Sequence, residues 1–154
     1  MRIRPMLLAS PLIPCLVAGA SVARPVQTTS PRSEVTLTVV VTGVTTEGGT
    51  IGAALYSTAD GFPGQTAKAA KLTVQPRTAP VDSFVFHSLA PGRYAVSVYQ
   101  DLNGNGKLDT NLFGSPKEPW GTTANVRPRL RAPRFEEGTL KLTGSTRVEV
   151  RVER

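Results

Sequence analysis

The sequence predicts an all-β fold: a two-sheet antiparallel β-sandwich of about seven strands, formed by residues 34–154 as a single domain. Two observations carry the prediction. Apolar and polar side chains alternate with period two through a series of short runs rich in β-branched residues. Gly- and Pro-containing turns separate those runs, and no stretch shows the 3.6-residue period of an amphipathic helix. Short alternating strands joined in this way pack as two sheets around one core.

The first strand is the clearest. Val35, Leu37, Val39 and Val41 share one face, and Thr36, Thr38 and Thr42 take the other. A turn at Glu47-Gly48-Gly49 leads into a second strand with Ile51, Ala53 and Leu55 on one face, ending at Tyr56. Asp60-Gly61-Phe62-Pro63-Gly64 breaks both regular patterns and reads as a loop anchored by Phe62. A third strand carries Ala70, Leu72 and Val74 on one face. The fourth, Asp82–Leu89, sets Phe84 and Phe86 opposite Val85 and His87. After the Pro91-Gly92 turn, Tyr94, Val96 and Val98 point inward along a fifth strand, leaving Tyr99 and Asp101 on its outer side. The basic, Pro-rich run from Arg127 to Arg134 cannot be a central strand, because Pro lacks the ladder donor. Two strands close the domain, a short one at Thr139–Leu142 and Thr146–Val152, with Val148, Val150 and Val152 inward.

Residues 1–23 are expected to form a secretory signal peptide. Arg2 and Arg4 give a basic start, Met6–Ala20 is mostly apolar, and Ser21-Val22-Ala23 places small residues at a cleavage site. Pro11 and Pro14 interrupt the apolar stretch, which falls short of the ~20 residues that span a bilayer. Residues 24–33 read as a flexible leader. The mature chain is therefore expected in the periplasm or outside the cell, without a transmembrane segment. Its only cysteine, Cys15, leaves with the signal peptide, so stability must come from a core and not from disulfides. Loss of Arg2 and Arg4 lowers the formal charge from +7 to +5. In an exported protein that excess points to anionic glycans or lipid head groups and not to nucleic acid. A solvated basic surface is the plainer reading.

The stretch richest in chemistry is Asp101–Asp109, which reads Asp-Leu-Asn-Gly-Asn-Gly-Lys-Leu-Asp. Oxygen donors at Asp101, Asn103, Asn105 and Asp109, with Gly106 in sixth place, follow most of the spacing by which a loop wraps calcium. Side chains two residues apart aim at one centre as the chain curls, and Gly106 supplies a positive φ. Lys107 offers its carbonyl, and Glu118 on the returning segment completes the set. Leu112 stands where an EF-hand has its bidentate Glu, and no helices flank the loop, so an EF-hand is excluded. The expected cofactor is Ca2+, bound weakly, on the order of 10⁻⁴–10⁻³ M. The alternative needs no metal. Asn103-Gly104 and Asn105-Gly106 are turn-forming dipeptides, and Asp101 and Asp109 would cap the turn through backbone N–H groups.

Catalytic constellations are sparse. His87 is the sole histidine, which excludes a His₂ or His₃ metal centre. Asp101, Asp109 and Glu118 resemble the carboxylates of a hydrolase in type only; three oxygen groups in one Gly-rich loop suit an ion better than a sugar cleft. Trp120, the only tryptophan, is either a stacking platform for a sugar or a pin over its own loop. Arg127, Arg129, Arg131 and Arg134 form the densest basic cluster. The first three would face one way in an extended segment, towards an anionic glycan or lipid surface, or else would guard a sheet edge as solvated charge.

Three pieces occur in a fixed order: Leu89-x-Pro91-Gly92-x-Tyr94-Ala95-Val96, Asp101-x-Asn103-Gly104-Asn105-Gly106-Lys107-Leu108-Asp109-Thr110-Asn111, and Gly114-x-Pro116-Lys117-Glu118-Pro119-x-Gly121. Together they resemble a family of exported bacterial proteins catalogued as domain of unknown function 2141, over about Val35 to Val152. The resemblance implies an exported β-sandwich and no particular activity. The Pro-Gly-x-Tyr turn is also similar to that of prealbumin-like sandwich modules, with immunoglobulin-like architecture as the broader class. The chain departs from the family pattern at Gln100, where members usually carry His. It departs again at Thr122-Thr123-Ala124-Asn125, where they usually carry Phe-Ser-Asn-Asn, and at Ala132-Pro133-Arg134-Phe135, where Pro-Pro-Ser-Phe is usual. The first functional expectation is thus a non-catalytic structural or interaction module with a calcium-type loop. The second is a module for glycan or anionic lipid using Trp120 and the Arg127–Arg134 segment. A hydrolase working from the acidic loop comes third.

Overall fold

The computed structural model of the protein describes residues 33–45, 48–78 and 82–154. The expected signal peptide, nearly all of the leader and Glu47 lie outside these residues. Eight strands form among the described residues: β1 Val35–Thr42, β2 Thr50–Tyr56, β3 Lys71–Pro76, β4 Asp82–Leu89, β5 Gly92–Asp101, β6 Trp120–Thr122, β7 Leu140–Leu142 and β8 Thr146–Arg151. One α-helical turn, α1, covers Phe135–Gly138. Strands β4-β1-β8 make a three-stranded sheet and β3-β2-β5-β6 the larger one, with β7 pairing the start of β5.

The core is built by the alternation that the sequence displays. Val35, Leu37, Val39 and Val41 of β1 and Phe84 and Phe86 of β4 meet Ile51, Ala53 and Leu55 of β2 and Val96 and Val98 of β5. Val150 of β8 and Val152 just after it join them. Burying each of these side chains other than Ala53 contributes about 1.5–3 kcal/mol. The outward residues of β4 behave as expected, with Val85 half-exposed and His87 exposed. Leu72 and Val74 are each 46% exposed, because β3 is an edge strand whose faces lie largely in solvent.

The all-β sandwich is as expected; its details differ in three ways. Strand β6 is an eighth strand, three residues long and adjoining Pro119, too short for periodicity to register. The pairing is not antiparallel throughout, since β1 and β8 run parallel from Leu37↔Thr146 to Thr42↔Arg151. Parallel neighbours need a long crossover, and these two strands lie at opposite ends of the domain sequence. The third difference concerns the outer face of the larger sheet. Ala54, Tyr56 and Ala95 on that face are fully buried beneath Phe62 and Phe135. Phe62 meets Tyr56 edge-on at 5.3 Å and Phe135 at 5.9 Å. Tyr56 Oη and Ser97 Oγ both donate to the Pro63 carbonyl, at 3.2 and 2.8 Å. The expected anchor at Phe62 thus closes a small second core.

The two sheets also meet at one edge. Trp120 N donates to Glu153 O at 2.9 Å, and Glu153 N returns a bond to Trp120 O at 3.0 Å. The chain leaving β8 is therefore tied to the larger sheet at the point where the chain re-enters from the Asp101 loop.

Candidate functional site

Strand β5 delivers Asp101 into the loop with its carboxylate almost fully enclosed, at 1% exposure. Its Oδ1 accepts from Gly104 N at 2.7 Å and Asn105 N at 3.2 Å, and its Oδ2 accepts from Gly106 N at 2.6 Å. Asn103 Oδ1 accepts from Asn105 N at 3.1 Å, and Asn105 Oδ1 from Lys107 N at 3.0 Å. Each of these closes an Asx turn, which is how alternate side chains end up inside the curl. Gly106 takes φ 81°, the left-handed conformation its place in the loop demands.

Asp109 meets both amides, its Oδ2 accepting from Asn103 Nδ2 at 2.7 Å and its Oδ1 from Asn105 Nδ2 at 2.9 Å. Those two bonds, with the positive charges of Lys107 and Lys117, hold its carboxyl below the usual carboxylate range. Glu118 returns as the sequence spacing suggests, and its role is specific. Its Oε1 accepts from Leu102 N at 2.7 Å and its Oε2 from Asp109 N at 2.9 Å, bracing both ends of the nine-residue loop. Tyr99 Oη donates to Gly106 O at 3.3 Å from the strand beneath, and burial beside Asp101 and Glu118 pushes its hydroxyl up.

The structure thus brings Asp101, Asn103, Asn105, Asp109 and Glu118 into one network, with Lys107 joined through its N–H. Among the described residues no three His, Cys, Asp or Glu side chains gather as a metal-binding group. Any ion at this loop would draw on amide and backbone oxygens as well as carboxylates.

Beyond Asp109 the chain forms a miniature hairpin. Lys117 N donates to Asp109 O at 2.8 Å, Thr110 bridges Pro116, and Asn111 N donates to Ser115 O at 2.8 Å. Asn111 Oδ1 accepts from Phe113 N and Ser115 N at 2.9 and 3.0 Å, which fixes the tip. This arm forms one wall of an open cleft of about 740 Å³. Trp120 and the segment from Arg127 to Ala132 also line it.

The arginines of that segment differ in what they do. Arg127 stacks on Trp120 at 4.7 Å from the ring centre and donates to the carbonyls of Trp120 and Glu153, at 3.1 and 3.0 Å. It pins the tryptophan and stitches the edge where the sheets meet. Arg131 grips Glu137 with both terminal nitrogens, at 2.8 and 2.6 Å. That pair and the Arg134 N–H push the Glu137 carboxyl down to about 2. Arg129 lines the cleft and is exposed. Arg127, Arg129 and Arg131 line the cleft together with Pro128 and Leu130, in a segment that is not a strand.

Two residues that matter here were not legible as such. Gln100 is fully buried and holds the β1–β2 connection, accepting from Thr45 N at 2.9 Å and donating to Gly48 O at 2.7 Å. Its signal was a polar residue that continues the inward-facing series Tyr94, Val96 and Val98 of β5. Asn111 sets the arm's tip, and an Asn two residues before Phe113 was the available clue.

A family model described as an uncharacterized protein conserved in bacteria matches residues 39–150. No curated protein and no solved structure matches the chain.

Proposed function

We propose, for a chain that belongs to the bacterial family DUF2141, that it is an exported, non-catalytic interaction module. Its sandwich holds the Asp101–Gly121 arm as a fixed wall, and the cleft between that arm and the Arg127–Ala132 segment takes an anionic ligand. The observation that carries this reading is the lining of the cleft. The charged side chains that line it are Arg127, Arg129, Arg131 and Arg154, of which Arg127 and Arg131 also meet Glu153 and Glu137. The non-catalytic part is supported by the loop's buried carboxylates. Asp101 and Glu118 spend both oxygens on backbone N–H groups, whereas a general acid or base must reach its substrate.

Arg129→Glu tests the cleft. It reverses charge at an exposed position, so the melting temperature should stay unchanged. Binding to a soluble polyuronate and to anionic vesicles should fall at least about tenfold, as expected for reversing one contact charge. Equal binding by the variant would sink the reading.

A second reading gives the Asp101–Asp109 loop weak affinity for Ca2+. It is favoured by the convergence of Asn103 and Asn105 on the two oxygens of Asp109. The ion would have to displace those amide N–H groups, and this competition keeps affinity low. At about 10 mM calcium and a Kd of about 1 mM, mass action adds about 1.4 kcal/mol. The melting temperature should then rise by roughly 4–8 °C over an EDTA control. Magnesium should not reproduce the shift, since it dehydrates reluctantly. An unchanged melting curve in calcium removes the ion from the account.

A further inference from the structure

Leu112, Phe113 and Leu130 are 101%, 92% and 99% exposed. A single exposed apolar residue is ordinary. Here Leu112 and Phe113 stand at the turn of the arm and Leu130 at a bend, and Phe113 and Leu130 line the same cleft. The arm's tip is not a loose loop. Asn111 uses its side chain, its N–H and its carbonyl to fold the turn that presents Leu112 and Phe113 to solvent. In the second segment Leu130 stands between Arg129 and Arg131, with Pro128 restricting the backbone before them.

We propose, as a deepening that rests on the anionic-cleft reading, that this rim docks on the surface of an anionic phospholipid bilayer. Leu112, Phe113 and Leu130 enter the boundary between head groups and acyl chains, and Arg129 meets the phosphates beside them. Large apolar tips flanked by arginine match that boundary, where the side-chain end is apolar and the flanking charge stays in the head-group layer. A glycan fits less well. Sugars stack on aromatic faces from within a cleft and offer little to a wholly exposed Leu112 or Leu130. Charge complementarity selects anionic lipid over zwitterionic lipid, because the cleft carries no acidic side chain among the described residues.

The test is co-sedimentation of the protein with phosphatidylcholine vesicles, with and without phosphatidylglycerol, beside binding to a soluble polyuronate. Pure phosphatidylcholine reports any binding independent of charge. The wild type should bind vesicles containing phosphatidylglycerol. Phe113→Ser should weaken that binding about tenfold by removing one partly immersed aromatic side chain, and Leu130→Ser should add to the loss. Polyuronate binding should fall far less than vesicle binding in both variants, because both keep every arginine that lines the cleft. Both positions are exposed, so unchanged melting curves will show that the fold is intact. Vesicle binding retained in the Phe113→Ser, Leu130→Ser double variant overturns the proposal, as does indifference to phosphatidylglycerol. Polyuronate binding without vesicle binding also overturns it while leaving the anionic cleft standing. Failure to bind either probe overturns both.

Discussion

Asp101→Ala should destabilise the domain by roughly 2–4 kcal/mol, read from urea denaturation. The buried carboxylate accepts from the N–H groups of Gly104, Asn105 and Gly106. Hydrogen bonds to a charged group are each worth about 1.5–3 kcal/mol, and bonds sharing one acceptor do not add fully. The donors belong to exposed residues, so water recovers part of the loss. The full sum is therefore not expected. Asp101→Asn keeps one oxygen and should recover part of the difference. The arm that depends on this carboxylate should become locally labile, with faster amide exchange at Gly104, Asn105 and Gly106 than in the wild type. If Asp101→Ala unfolds within about 0.5 kcal/mol of the wild type, the loop does not depend on that side chain.

Gly121→Ala should cost a comparable amount, about 3 kcal/mol, by a different route. Gly121 lies in β6 where the larger sheet approaches β8. A Cβ there would press on the Arg151 carbonyl oxygen, with the Val150 side chain 3.2 Å away. The nearest obstacle is backbone and cannot rotate aside. The paired bonds between Trp120 and Glu153 next to it resist any widening of the gap. Gly144→Ala is the control, since an added Cβ at that turn meets nothing within 4 Å. The control should change stability by less than about 0.5 kcal/mol. Equal melting temperatures for the two variants would mean that the sheets do not approach so closely at β6.

How much of this was readable beforehand varies from residue to residue. Strand β1 was legible because one of its faces is buried and the other lies partly in solvent, which writes alternation directly into the sequence. The later part of β5 was half legible. Its inward Val96 and Val98 followed the pattern, but Ala95, Ser97 and Tyr99 are buried too. Ala95 and Ser97 meet the Phe62 loop and α1, and Tyr99 meets the Asp101 loop through Gly106 O; which loop folds back over a sheet is a tertiary outcome with no local signature. At the site, the spacing of Asp101, Asn103, Asn105 and Asp109 was enough to foresee a tight curl. It also allowed a turn capped through backbone N–H groups. That Glu118 returns to the loop was visible in its position, but its grip on the N–H groups of both Leu102 and Asp109 was not. The rim of Leu112, Phe113 and Leu130 was the least legible part. Apolar residues in loops are read by default as anchors pointing inward, as Phe62 does, and sequence carries no mark for those that point out.

The parallel pairing of β1 with β8 has a mechanical consequence. Six residue pairs join these strands, from Leu37↔Thr146 to Thr42↔Arg151. Because the strands run the same way, the start of β1 and the end of β8 lie at opposite ends of the pair. Tension applied between those two points pulls the strands past each other lengthwise. It loads the rungs of the ladder together and does not peel them off one at a time. The seam between the first and last strands is thus oriented to resist a pull along the chain, in a domain without a disulfide to share the load.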